Sequence, residues 1–384
     1  MAKERKNGIY SYQQLKVAIG AGHIFSGGDP IAEGQVQPAS IDLRLGDKAY
    51  RLISSFLPER NQGVRELHMY DQEMVMYEHD LTGGGMVLEK NCVYLIPLME
   101  ELDLPRNVRG RVNPKSTTGR LDIFARVLTD YNTRFDDVAR GYKGQLFIEV
   151  MPRSFTVRVE RGMSLVQLRL MKGNCSVSDR GLKALHEGST LLYSGEEGTE
   201  ALPHHDASIS RGLFMSADLS GRGNGGIVGY KSKKNSHVVD LTKKGHYNIG
   251  DFWEPIVRSD KGCLILEPEE FYILSSKERV RVPPMYAAEM VAYEAGSGEL
   301  RTHYAGFFDP GFGYGPDGSV RGTKAVLEVR AHDVPFMVTH GQQFCKLVFE
   351  KMMELPEKVY GPKIGSSYQF QGVTLSKQFR SPGR

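Results

Sequence analysis

The sequence predicts an all-β protein built from two similar units in tandem. The 384 residues include 43 glycines and 18 prolines, many of them beside short apolar runs, which is typical of strands joined by turns. Long helical patterns are scarce. Segments in the two halves of the chain look alike, which indicates a duplicated unit.

The duplication is indicated by residues 88–112 and 266–291. Leu88, Glu89, Tyr94 and Pro105 recur 178 positions later as Leu266, Glu267, Tyr272 and Pro283. With one residue of slippage, residues 147–150 recur at 326–329, and the turn glycine Gly162 recurs as Gly341. A period this long excludes a solenoid.

One helix is predicted near the start of the chain, over residues 11–21, where Leu15, Val17 and Ile19 are apolar. The clearest strand is predicted over residues 145–151. Leu146, Ile148 and Val150 would share one face of it, because side chains alternate along a strand.

The junction between the units is predicted around residues 200–215. Residues 174–235 are rich in glycine, serine and charge, and they alternate only weakly. The predicted domains are therefore residues 1–205 and 206–384.

Composition and charge exclude several classes of protein. Apolar residues make up 40% and charged residues 25%, as in ordinary soluble proteins. No apolar run approaches the ~18 residues of a membrane span, and the first residues lack the apolar region of a secretory signal. The net charge of +3 is too small to suggest a nucleic-acid partner.

The four cysteines have no metal or redox spacing, so free thiols in a reducing cytoplasm are expected. The sequence also lacks the H-x-E and P-C-x-x-C motifs of the zinc nucleobase deaminases, and it lacks a Walker A loop. Residues 221–226 fit G-x-G-x-x-G but follow no clear strand, so a flexible linker is preferred over a dinucleotide site.

Three segments of the first unit resemble the dCTP deaminases of the dUTPase-like superfamily. They are QPASIDLRLG at 37–46, NPKSTTGR at 113–120 and TRFDDVARGYKGQLFIEV at 133–150. The chain resembles the long, two-unit bacterial form. The resemblance implies two tandem dUTPase-like (β-clip) distorted barrels, a trimeric arrangement of units in a homo-oligomer, and active sites between subunits.

A phosphate-binding loop is predicted at residues 115–120. Its members are Lys115, Ser116, Thr117, Thr118, Gly119 and Arg120. Two cations and three hydroxyls within six positions suit a polyphosphate, because charge-assisted hydrogen bonds are strong. The alternative is a solvated polar turn. Asp42 either orients this loop or is a structural residue at a strand edge.

Glu149 is the predicted general acid/base, and Ser116 is the other predicted catalytic residue. The resemblance implies that this carboxyl activates water for attack on C4 of cytosine. The alternative is a glutamate that faces solvent or pairs with an arginine. Phe147 and Ile148, on the same strand, are predicted to contact the substrate.

Arg134 and Asp136 match family positions near the sugar, although the turn that follows is two residues longer and has Tyr142 instead of Trp. In the second unit, Asp309 and Glu328 match the family turn and the catalytic strand. The hydroxyl–arginine loop is missing there, and His303 and Tyr304 are weaker candidates to contact a base.

The closing segment of the family resembles residues 359–372. Tyr360, Tyr368 and Gln371 are predicted to fold over the nucleotide; the alternative is a solvated basic tail that includes Lys377. The first unit has the hydroxyl–arginine loop but an altered turn, whereas the second has the family turn and the closing segment but no such loop. One composite site per chain is therefore predicted, in which Tyr360 and Gln371 close over the loop and Glu149.

The resemblance implies hydrolytic deamination of dCTP to dUTP and ammonia, with Mg²⁺ bound through the triphosphate, no zinc and dTTP as a feedback inhibitor. The alternatives are a dUTP pyrophosphatase, a bifunctional enzyme that goes on to dUMP, or a nucleotide-sensing protein without turnover. No membrane partner is expected.

Overall fold

A computed structural model describes residues 7–66, 74–194, 200–292, 300–302, 306–315, 318–331, 333–361 and 372–380. Within these ranges the chain forms short helices and many strands, so the all-β prediction is confirmed. No described helix is long and apolar enough to span a membrane.

The strands are numbered in chain order. The first thirteen are β1 Gly8–Ile9, β2 Ile24–Ser26, β3 Ile41–Arg44, β4 Lys48–Leu52, β5 Val75–Asp80, β6 Met86–Leu88, β7 Val93–Asp103, β8 Val108–Pro114, β9 Ile123–Thr129, β10 Asp137–Val138, β11 Lys143–Pro152, β12 Val157–Val159 and β13 Ser164–Lys172. The others are β14 Leu192–Ser194, β15 Glu200–Ala201, β16 Leu213–Ser216, β17 Ile227–Ser232, β18 Val239–Asp240, β19 Trp253–Val257, β20 Cys263–Leu266, β21 Phe271–Val280, β22 Tyr286–Ala292, β23 Leu300–Thr302, β24 Gly306–Phe308, β25 Thr323–Ala331, β26 Phe336–Thr339 and β27 Gln343–Lys351.

The helices are α1 Tyr12–Gly20, α2 Ser116–Gly119, α3 Asp179–Gly188 and α4 Ile249–Phe252, with a 3₁₀ turn at Glu33–Gln35. The helix predicted at residues 11–21 is confirmed as α1. Ser11 is its N-cap and forms a capping box with Gln14, which satisfies two backbone N–H groups.

The chain divides into two compact units, and neither is continuous in sequence. The first unit is Met1–Asn174, Lys234–Tyr247 and Ser376–Arg384; the second is Cys175–Lys233 and Asn248–Leu375. The division therefore differs from the predicted 1–205 and 206–384. Residues 175–205 belong to the second unit, where Val177 N–H donates to the Phe349 carbonyl at 2.9 Å.

In the first unit, one sheet has the order β1-β13-β8-β10, with β3 also paired to β13. A second has the order β5-β4-β7-β11-β9, with β2 paired to β7, and a third has the order β18-β12-β6. β18 comes from the inserted segment 234–247 and runs parallel to β12.

In the second unit, one sheet has the order β15-β14-β21-β17-β19, and β25 pairs with both β21 and β23. The others are β16-β27-β22-β24 and the pair β20-β26. Its core includes Leu274, Leu327 and Phe349.

The two units repeat the same local structure, as the duplication predicts. The Tyr94 hydroxyl accepts from Glu89 N–H at 3.0 Å, and the Tyr272 hydroxyl accepts from Glu267 N–H at 3.0 Å. Glu149 lies opposite Leu95 on β7, and Glu328 lies opposite Ile273 on β21. The offset of 178 on one strand and 179 on its neighbour matches the slippage in the sequence.

Candidate active site

The predicted phosphate loop is a single helical turn, α2, that follows β8. Lys115 N–H donates to the Leu165 carbonyl at 2.9 Å, and the N–H groups of Thr118 and Gly119 donate to the Lys115 carbonyl at 2.8 and 3.0 Å. The backbone is thus fixed from both sides before any ligand binds.

The side chains of the loop have different environments. Ser116 is exposed, whereas Arg120 is buried. The buried Thr118 hydroxyl donates to the Leu165 carbonyl at 2.7 Å, which gives this residue a structural contact. Of the three hydroxyls, those of Ser116 and Thr117 are better placed to meet a ligand.

Asp42, on β3, pairs with the Lys115 ammonium group at the start of this loop. Burial raises the pKa of Asp42 above its usual range, and the lysine charge partly opposes that rise. Its Oδ1 atom has no hydrogen-bond partner among the described residues. This ion pair with Lys115 is the contact expected of Asp42 if it orients the loop.

A cavity of about 300 Å³ in the first unit opens beside the loop. Its lining comes from four stretches of the chain: Lys115, Thr117, Thr118 and Leu121; Met163, Ser164 and Leu165; Leu241, Thr242 and Lys244; and Lys377 and Gln378. Ser116, Arg120 and Glu149 are not among the described residues that line it. The structure therefore brings together only part of the predicted site.

Lys244 and Lys377 are the cationic residues of this cavity that sequence reasoning did not assign to the site. Lys377 was considered only within a solvated tail, yet the Ser376 hydroxyl lies 3.2 Å from the Thr117 carbonyl. Burial lowers the pKa of Lys377, and the charges of Lys115 and Lys244 lower it further. No spacing rule links residues that far apart in sequence.

Glu149 lies on β11, between β7 and β9. Its side chain is 2% exposed, and Oε1 pairs with the Arg126 guanidinium at the same register position on β9. Arg126 lies over the Phe135 ring at 3.7 Å and the Phe124 ring at 4.4 Å. The structure thus shows the arginine-paired alternative for this glutamate.

Phe147 and Ile148 are fully buried. Phe147 packs in an apolar cluster with Leu52, Val64 and Leu95. These side chains build the core beneath the strand, so any contact with a substrate would have to come from the backbone.

Asp136 adopts a left-handed backbone conformation with φ of 61°. Its carboxylate accepts from Val127 N–H at 2.8 Å, and its own N–H donates to the Val127 carbonyl at 2.9 Å. Arg134 is exposed. The longer turn is stabilised by Tyr142, whose hydroxyl donates to the Gln145 carbonyl at 2.6 Å and whose pKa is raised by burial.

In the second unit, Asp309 is buried and precedes the tight turn at Gly311, which has φ of 89°. Tyr360 N–H donates to the Pro310 carbonyl at 2.8 Å, and its ring contacts Phe312 with centroids 5.2 Å apart. Glu328 is half-buried on β25. Tyr368, Gln371, His303 and Tyr304 lie outside the described residues.

Metal ligands do not cluster in the described part of the chain. It contains no group of three or more histidines, cysteines, aspartates and glutamates that could hold an ion. Beside the cavity, the Asp42 carboxylate pairs with Lys115, and the Asp240 carboxylate pairs with Arg158 and accepts from the Thr242 hydroxyl.

Comparison with known proteins covers nearly the whole chain. Residues 6–174 match the N-terminal domain family of 2'-deoxycytidine 5'-triphosphate deaminase (DCD), and residues 178–379 match its C-terminal domain family. The chain is 31% identical over 176 residues to "dCTP deaminase, dUMP-forming" of Coprothermobacter proteolyticus, which covers 44% of this chain and 85% of that protein. It is 28% identical over 192 residues to "dCTP deaminase" of Sulfurisphaera tokodaii, which covers 49% and 88%.

A solved structure matches both units. The crystal structure of 2'-deoxycytidine 5'-triphosphate deaminase from Agrobacterium tumefaciens is 43% identical, with a TM-score of 0.83, and the match covers 92% of this chain and all of that one. The chain therefore belongs to the dCTP deaminase family, and its units have the dUTPase-like fold of that family.

Proposed function

We propose that this protein deaminates dCTP to dUTP and ammonia. The observation that carries the proposal is a cavity beside the Lys115 loop that is lined by lysines and by residues with hydroxyl groups. The chain that contains it belongs to the dCTP deaminase family. Such a cavity suits the triphosphate of a nucleotide, because ammonium groups form charge-assisted hydrogen bonds with phosphate oxygens.

The proposed reaction is the addition of water to C4 of the cytosine ring, followed by loss of the amino group as ammonia. A carboxylate takes one proton from the attacking water and gives it to N3 of the ring. It then takes the proton of the new C4 hydroxyl and gives it to the amino group, which leaves as ammonia while the C4 carbonyl forms. Glu149 and Glu328 hold equivalent positions in the two units and are the candidates for this step.

Mg²⁺ enters this proposal through the substrate. The described residues form no carboxylate cage, which suits an ion held mainly by phosphate oxygens and water. When bound, it would neutralise part of the triphosphate charge, while Lys115 and the other cavity lysines would neutralise the rest.

The product needs a direct test, because several relatives are named "dCTP deaminase, dUMP-forming". We propose dUTP as the product; the structural relative that matches both units is titled 2'-deoxycytidine 5'-triphosphate deaminase, and its title names no dUMP-forming activity. A dUMP product would require a second hydrolysis, at the α-phosphate.

Incubation with dCTP and Mg²⁺, with chromatographic separation of the nucleotides, tests the proposal. Deamination to dUTP gives one equivalent of ammonia and no pyrophosphate, whereas a bifunctional enzyme gives dUMP and pyrophosphate. Binding of dCTP with neither product would favour the nucleotide-sensing alternative. Light scattering and titration with dTTP would test the predicted homo-oligomer and feedback inhibition.

A further inference from the structure

We propose that Lys244 and Lys377 bind phosphate groups of the nucleotide in the cavity beside the Lys115 loop. The inference rests on the proposed function and extends it, since it adds two binding residues from distant parts of the chain. Both side chains line the cavity together with Lys115 and Thr117.

The charges around the cavity are unbalanced. Three lysines, Lys115, Lys244 and Lys377, line it. The carboxylates in contact with its described lining are those of Asp42 and Asp240, and these already pair with Lys115 and Arg158. Like charges gathered beside an apolar floor of Met163, Leu165 and Leu241 repel strongly, because a low local dielectric screens them poorly. A polyanion would relieve that repulsion.

The two lysines are held in place by the backbone around them. Gly245 N–H donates to the Lys377 carbonyl at 2.9 Å, which joins the two segments directly. Gln378 is buried, and its side-chain amide donates to the Leu241 carbonyl at 3.1 Å. Because the segments are ordered before binding, a ligand loses less free energy in fixing them.

The cavity also fits a phosphate chain in size and composition. Its volume of about 300 Å³ is at the lower end of the range for ligand sites. Thr117 and Ser164 line it as well, and their hydroxyls can donate to phosphate oxygens, whereas the Thr242 hydroxyl donates to Asp240 at 2.7 Å. Three ammonium groups favour the charged phosphates over the neutral cytosine ring.

The test compares Lys244→Ala and Lys377→Ala with Lys243→Ala. Lys243 is exposed, adjacent in sequence and not among the residues that line the cavity. Each cavity variant should raise the KM for dCTP by roughly tenfold or more, while the inhibition constant of deoxycytidine changes little. Lys377→Arg should retain most of the affinity, which separates lost charge from a disordered segment.

Tripolyphosphate, titrated by calorimetry, probes the cavity independently of turnover. The wild type and Lys243→Ala should bind it equally and competitively with dCTP, and Lys377→Ala should bind it more weakly. Equal affinity for dCTP in Lys377→Ala and Lys243→Ala would overturn the inference. So would tripolyphosphate binding that does not compete with dCTP, because the anion would then be a separate effector. If the wild type binds tripolyphosphate but releases no ammonia from dCTP, only the proposed function fails.

Discussion

Glutamates at equivalent positions of the two units have different hydrogen-bond partners. In the first unit, Glu100 is fully buried and accepts from the Arg44 backbone N–H at 2.6 Å and from the Arg44 guanidinium at 2.7 Å. In the second, Glu278 instead accepts from Ser216 N–H at 2.8 Å and from its hydroxyl. The glutamate fixes the neighbouring strand in both units; its described partner is a buried arginine in the first unit and a serine in the second.

Arg44→Ala should therefore lower the free energy of unfolding by about 3–5 kcal/mol, because it leaves Glu100 charged and buried without its cation. Lys48→Ala is the control, since its pair with Glu78 is about half exposed and worth about 0–1 kcal/mol. Chemical denaturation measures both. Similar losses in the two variants would contradict the argument.

Lys377 predicts a pH dependence of binding. Its pKa lies below the ordinary lysine value because of burial and the charges of Lys115 and Lys244, whereas Asp42 acts in the opposite direction. As pH rises, Lys377 should lose its proton before an ordinary lysine does. The affinity for tripolyphosphate should therefore start to decrease at a pH lower than the ~10.4 at which an ordinary lysine titrates. Lys377→Arg should move that loss to higher pH, since arginine stays protonated. Calorimetric titration with tripolyphosphate across this pH range measures the effect. Identical pH profiles for the wild type and Lys377→Arg would exclude the role of Lys377.

At the scale of elements, regular local patterns were predictable and interrupted ones were not. The alternation at residues 145–151 gave the strand β11, and Ser11 with Gln14 starts α1. The helix α3 was missed, because glycine lies at both its third and its last position. It is stabilised instead by His186, whose Nδ1 accepts from Leu191 N–H at 2.9 Å.

The repeated turn glycines give a prediction at this scale. Gly162 and Gly341 have φ of 80° and 81°, in the left-handed region. Alanine at either site should cost about 1–2 kcal/mol through backbone strain alone, because an added Cβ has no neighbour within 3.4 Å. Gly34→Ala, in open space without positive φ, should be neutral or slightly stabilising. Thermal melts of the three variants test this; a stable Gly162→Ala protein would contradict it.

At the scale of the whole molecule, the sequence predicted two units but not how the chain is shared between them. Local patterns carry no record of which distant segments pack together. Phe379, for example, is buried near Phe155 and Tyr247, with ring centroids 6.5 and 6.2 Å away. For the same reason residues 115–120 could be recognised as a local motif, whereas Lys244 and Lys377 could not be placed beside them.

Truncation after Leu375 should therefore damage the first unit. The loss of Phe379 alone should cost about 3–5 kcal/mol, as for other buried phenylalanines, and the loss of Lys377 should raise the KM for dCTP. Truncation after Arg380 is the control, because it keeps every described contact of this segment. Melting temperature and dCTP kinetics compare the two; equal behaviour would mean that residues 376–380 contribute nothing to the first unit.

The discontinuous first unit also constrains the order of events during synthesis. About 200 residues separate Asn174 from Ser376, and a ribosome adding ~5–20 residues per second needs about 10–40 s to make them. Throughout that interval the amino-terminal strands exist without the segment that carries Phe379 and Lys377. A nascent or prematurely terminated chain therefore has an incomplete polyphosphate cavity, and strong nucleotide binding becomes a property of chains translated past residue 380.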